Sequence, residues 1–140
     1  DMELCRDRYT RFKSIYGTFN HALWYDRIWM SRFTETVDTP PGTIDTSDDL
    51  FGTWEMFKQS RYALDQAIVL WTQEVQDAWF QGKVTWLSTI KGGMTTTGRH
   101  IAVTDLFTYQ THCRGVLHGM LSAAGVTPGF PNYWLLSEQA

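Results

Sequence analysis

Three stretches of the chain place apolar side chains at steps of three and four, the spacing that collects them on one face of a helix. The first runs from about Arg11 to Thr34 along Phe12, Ile15, Phe19, Ala22, Asp26, Trp29 and Phe33. Asp26 sets a carboxylate in the middle of that stripe, so an arginine partner at the edge of the core is expected. The second follows one seam through Leu50, Trp54, Phe57, Arg61, Leu64, Ile68, Trp71, Val75 and Trp79, with Arg61 its only charge. A seam this long predicts a bundle helix crossing its neighbours at shallow angles. Ser47 stands where it can cap that helix, with Asp48 and Asp49 in a first turn whose dipole favours negative charge. A third stretch, from about Arg99 to Ala124, turns Ala102, Leu106, Tyr109, Cys113, Val116 or Leu117, Met120 and Ala124 inward. Gly125 and then Pro128 supply its stop signal.

Elsewhere the pattern changes. Glu35 to Ser47 hold Pro40, Pro41 and Gly42 among Thr and Asp, which reads as a loop. After Gly82 the period falls to two through Val84, Trp86, Ser88 and Ile90; Lys91-Gly92-Gly93 then gives a turn, and Met94 to Thr97 a return strand. A short β-hairpin before the last helix is predicted. A final apolar turn around Tyr133 to Leu136 is expected to pack back on the helices. The opening segment DMELCRDR is polar, lacks a period and begins with Asp1. An N-terminal piece is therefore expected to be missing. Three helices with seams this wide and aromatic are better closed by a fourth, either preceding Asp1 or contributed by a partner chain. The prediction is an all-α single domain over residues 1–140, incomplete at its N-terminus.

Composition narrows the function. Of the 140 residues 43% are hydrophobic and only 19% charged, which argues for a packed core and against a disordered chain. With 12 Lys+Arg against 15 Asp+Glu, no basic face for DNA or RNA is required, and nucleic acid is excluded as a partner. Cys5 and Cys113 are too few and too far apart for a disulfide scaffold, so a reducing cytoplasm is expected. No apolar run approaches the ~20 residues of a membrane span. Phosphate loops, GxSxG, HExxH and Glu-x-x-His pairs are all missing.

The metal-capable side chains that remain are His21, His100, His112, His118, Tyr109 and Cys113. Tyr109 and Cys113 are four apart on the inner face of the last helix, and His21 lies one position off the inner stripe of the first. An inward pair one turn apart plus a ligand from a facing helix is the spacing of an open three-ligand metal site. On residue types alone that signal is weak, since a cysteine on an apolar stripe is usually a small hydrophobe and a tyrosine there usually packs. His112 and His118 point to different faces and are expected to be surface or satisfied core histidines; His100 has no evident partner. No residue stands out as catalytic.

Gly17-Thr18-Phe19-Asn20-His21, followed by Asp26-Arg27-Ile28-Trp29, resembles the second-helix signature of DinB-like (DinB/YfiT) proteins. Phe107 to Gly115 resembles the last-helix motif of that family, whose usual form is Asn-His-Gln-Thr-His-His-Arg-Gly-Gln. The ending Leu121 to Pro128, the hairpin and the loop lengths agree, so the resemblance covers nearly the whole chain. It implies an up-down-down-up four-helix bundle whose first helix lies before Asp1. It also implies a divalent metal, zinc or nickel, held by one histidine of the second helix and two, four apart, of the last. His21 matches the first ligand, Tyr109 and Cys113 stand at the other two, and His112 matches a histidine that does not ligate. Relatives with a complete site include transferases and isomerases that use low-molecular-weight thiols.

Two replaced ligands point to a chain degenerate in metal chemistry, with metal weak or absent. One alternative is a still-active metal-dependent thiol transferase or hydrolase using His21, Tyr109 and Cys113. Another is a non-enzymatic small-molecule-binding or dimerising module, with Trp24, Trp29, Trp54, Trp71 and Tyr109 as the wall of an apolar pocket. A third makes Cys113 a metal-free nucleophile, which needs a lowered thiol pKa. The expected partners are a second copy of the chain and a small thiol or apolar ligand, with no membrane.

Overall fold

The computed structural model describes residues 2–129, so the turn expected around Tyr133 to Leu136 lies outside the described residues. In chain order the elements are α1 (Met2–Cys5), α2 (Ile15–Phe33), a 3-10 segment (Ile44–Asp49), α3 (Trp54–Glu74), α4 (Asp77–Phe80), β1 (Lys83–Ser88), β2 (Gly93–Gly98) and α5 (Arg99–Ala123). The protein is mostly helical with one antiparallel hairpin, and three of its described helices are long. No described helix is long and apolar enough to cross a membrane.

The first long helix begins at Ile15 rather than near Arg11. Tyr9 and Lys13 take left-handed backbone (φ 56° and 63°), which costs roughly 1 kcal/mol each and turns the chain before the helix can start. Ser14 then caps α2 by accepting the Gly17 N–H. Gly17 is needed here: a Cβ at this position would sit 2.1 Å from the Phe12 carbonyl oxygen. Its absence lets the 9–13 loop lie directly on the helix.

The second long helix is shorter at both ends than its seam predicts. Ser47 does not cap it, and Asp48 and Asp49 are not in its first turn. The cap is Thr53, whose hydroxyl oxygen accepts the Met56 N–H. The backbone ahead of it is held by α2: Asn20 Oδ1 accepts the Phe51 N–H at 3.0 Å, and the Tyr16 hydroxyl donates to Phe51 O at 2.8 Å. Leu50 is therefore drawn into a loop. At the other end the backbone turns extended at Val75 and Gln76, and Trp79 re-enters from α4 to pack on Phe33 and Trp71. Along the seam only Phe57 and Leu64 are fully buried, and Trp54 is left 37% exposed.

The hairpin forms as predicted, in register from Lys83 opposite Gly98 to Ser88 opposite Gly93. Ile90 falls in its turn rather than in a strand. At the end of α5 the Val126 N–H reaches Leu121 O and the Gly125 N–H reaches Ser122 O, both at 3.0 Å, with Gly125 at φ 83°. This is a Schellman stop, and it sits where the glycine predicts it.

The core gathers Leu23, Trp29, Met30 and Phe33 of α2 with Phe57 and Leu64 of α3, Val84 of β1, and Ala102 and Leu106 of α5. Asp26 finds the partner its stripe demands: Arg61 Nη1 lies 2.6 Å from Asp26 Oδ2, while Arg61 Nη2 lies 2.5 Å from Asp65. The lone charges of two seams thus meet each other.

Candidate functional site

α2 carries His21 into the interior, where the side chain is completely buried. Its Nδ1 lies 2.7 Å from Ser47 Oγ, and its Nε2 lies 2.8 Å from the Tyr109 hydroxyl. The Ser47 hydroxyl donates to Ile44 O at 2.7 Å. A hydroxyl has one proton, so Ser47 Oγ accepts from His21 Nδ1–H. Nε2 is then the bare nitrogen, and Tyr109 O–H donates to it. A chain of bonds therefore runs from α5 through α2 to the 3-10 segment. The ring of Phe12 covers the imidazole, stacked at 3.6 Å between centroids and 13° between planes.

Burial, with a smaller contribution from the Arg11 charge, lowers the His21 pKa from 6.5 to about 4. The imidazole is neutral at pH 7. Below pH 6.5 the unfolded chain takes a proton that the folded chain refuses. The stabilisation from this neutral histidine is complete above 6.5 and is lost as the pH falls through 4. The loss amounts to about 3 kcal/mol. Urea midpoints at neutral pH and near pH 4.5 should show it in the wild type, and His21→Gln should lack that share of the pH dependence. Parallel pH profiles for the two proteins would contradict a buried neutral ring.

Tyr109 is half-buried, and burial pushes its phenol pKa up. The ring of Tyr25 stacks on it at 4.0 Å, and the Tyr25 hydroxyl donates to Asp105 Oδ2 at 2.5 Å. One turn beyond, Cys113 is 2% exposed. Burial, and then the negative charge of Asp26, pushes its thiol up to about 11. Almost none of it is thiolate at neutral pH, the reverse of what a nucleophile needs. The carboxyl of Asp26 is itself raised, because burial outweighs the attraction of Arg61.

Of the residues singled out from the sequence, His21 and Tyr109 meet directly, and Cys113 shares the buried face of α5. His100, His112 and His118 are exposed. The expected aromatic wall does not form as one surface. Trp24 and Trp29 border a cavity beside the hairpin, Trp54 packs on Phe57, Trp71 packs on Phe33, and Tyr109 packs on His21 and Tyr25. Among the described residues no three His, Cys, Asp or Glu side chains come together as a metal-holding group. The sequence reading missed Ser47 as a partner of the imidazole and Phe12 as its cover. It also missed Gln110, whose Nε2 donates to Ala22 O at 3.0 Å and ties α5 to α2.

A sequence profile of the DinB family matches residues 3–140. The chain belongs to the DinB family. No curated protein and no solved structure matches it. Within this DinB chain the signature residues acquire physical roles. Gly17 admits the loop that covers the site, Asn20 pins the chain ahead of α3, and Asp26 anchors Arg61. His21 presents Nε2 to the Tyr109 hydroxyl of α5.

Proposed function

We propose that this DinB chain has given up metal chemistry at the His21 position and serves as a small-molecule-binding module. The observation that carries the reading is the occupation of both ring nitrogens of His21. The nitrogen facing α5, the one a metal would need, already accepts a hydrogen bond from the Tyr109 hydroxyl. A three-donor centre built from His21, Tyr109 and Cys113 does not fit the chain as it stands. It would require the phenol and the thiol to lose protons that burial makes harder to lose. The Ser47 contact has the form of an outer-shell bond to a ligating histidine, with Nδ1–H fixed and Nε2 aimed at the site. We read it as the surviving half of a metal centre whose other half has become a hydrogen bond.

The full chain, purified without a histidine tag, is expected to contain far less than one equivalent of zinc or nickel by elemental analysis. Near-stoichiometric metal that is lost in Cys113→Ala would overturn the reading and favour an active metal-dependent transferase or hydrolase.

A further inference from the structure

Beside the hairpin lies an open cavity of about 540 Å³, bordered by α2, the loop at residues 42–44, both strands and the first turns of α5. That volume falls within the range of sites for small organic molecules. Its apolar surface comes from Trp24, Ile28, Trp29, Trp86 and Ile101. Into this surface α2 sends Arg32, whose guanidinium lies 4.6 Å from the Trp29 ring centroid and 4.8 Å from that of Trp86. Among the described residues Arg32 has no ion-pair partner. Burial lowers its pKa, as a partly desolvated cation without a counter-charge requires.

The rest of the lining shows the same excess of donors. Lys91 adds a second cation, and the single carboxylate, Asp105, already accepts the Tyr25 hydroxyl. A further lining group, the Thr95 hydroxyl, is buried with no hydrogen-bond partner among the described residues. A cavity of this composition lacks an acceptor with a negative charge and an apolar body. A neutral apolar ligand would leave the guanidinium uncompensated, and a cationic one would be repelled.

We infer that this cavity binds a small aromatic carboxylate, its ring among Trp24, Trp29 and Trp86 and its carboxylate paired with the Arg32 fork. Planar guanidinium and planar carboxylate match in geometry as well as charge. The inference rests on the small-molecule reading above and specifies its ligand class. It places that ligand beside Tyr25, whose ring also stacks on Tyr109.

Calorimetric titration of the full wild-type chain with 2-naphthoate and with 2-naphthamide separates charge recognition from ring burial. The carboxylate is expected to bind about tenfold or more tighter than the amide. In Arg32→Gln the preference for the carboxylate over the amide should disappear. Equal affinities of the two probes for the wild type would overturn the inference without any variant, as would absence of binding by 2-naphthoate. So would an Arg32→Gln protein that is folded and binds the carboxylate as before. Elemental analysis of the same preparation keeps the two readings apart. A metal-free chain that ignores 2-naphthoate overturns only this inference, and a stoichiometric metalloprotein overturns the earlier one.

Discussion

Replacing Tyr109 and Cys113 together by histidine is expected to give a chain that carries one divalent ion, where the wild type is expected to hold far less than one equivalent. Tyr109→His removes the phenol proton from His21 Nε2 and puts a neutral nitrogen donor in its place. Cys113→His replaces a thiol held protonated by burial, with its pKa near 11, by a second donor one turn away. Position 109 contacts a histidine whose other nitrogen is already fixed by Ser47, and position 113 lies one turn further along the same helix. Orientation of that third donor is thus in place before any metal arrives. Metal at a hundred times its dissociation constant should then stabilise the double variant by about 3 kcal/mol, with no effect on the wild type. Elemental analysis and thermal unfolding with added zinc measure both consequences. A folded double variant that stays metal-free would show that the three positions do not converge.

Arg61→Met should be strongly destabilising, with an expected loss of about 3 kcal/mol in urea unfolding. Asp26 has a side chain 7% exposed, and Arg61 one 25% exposed, so the variant strands a carboxylate away from water. The raised pKa of Asp26 shows that even the intact pair does not fully repay this burial. Charge from Arg114 also favours the carboxylate and holds the loss near the low end of what a broken buried pair costs. The second bond of Arg61, to the largely exposed Asp65, contributes little. Asp26→Leu combined with Arg61→Met should therefore recover most of the lost stability, since the buried charge leaves with its partner. Recovery absent from the double variant, or a loss below about 1 kcal/mol in the single one, would mean that solvent screens the pair.

That pair was legible because a charge on an apolar stripe needs a counter-charge, and each seam carried only one. The hairpin and the Gly125 stop were legible for a related reason: both are fixed by local backbone chemistry. The ends of the helices were not. Ser47 has the chemistry of a cap, but its hydroxyl is used by His21 and Ile44, and the chain ahead of α3 obeys side chains of α2 far away in sequence. The long seam continues past Glu74 because Trp79 is apolar at the right spacing, although it reaches the core from a separate helical turn. At the site, the facing of His21 and Tyr109 followed from helical spacing and the family motif. Phe12 and Ser47 come from other segments and could not be placed by periodicity. The cavity around Arg32 was hidden for the same reason, since its walls are assembled from four parts of the chain.

The loop at residues 9–13 sets who can reach the imidazole. Phe12 is carried by a strand of chain bent at two left-handed residues and fastened at its far end by an ion pair between Lys13 and Asp48. The Phe12 ring stacks on one face of the imidazole, so this loop contributes part of the burial that keeps His21 neutral.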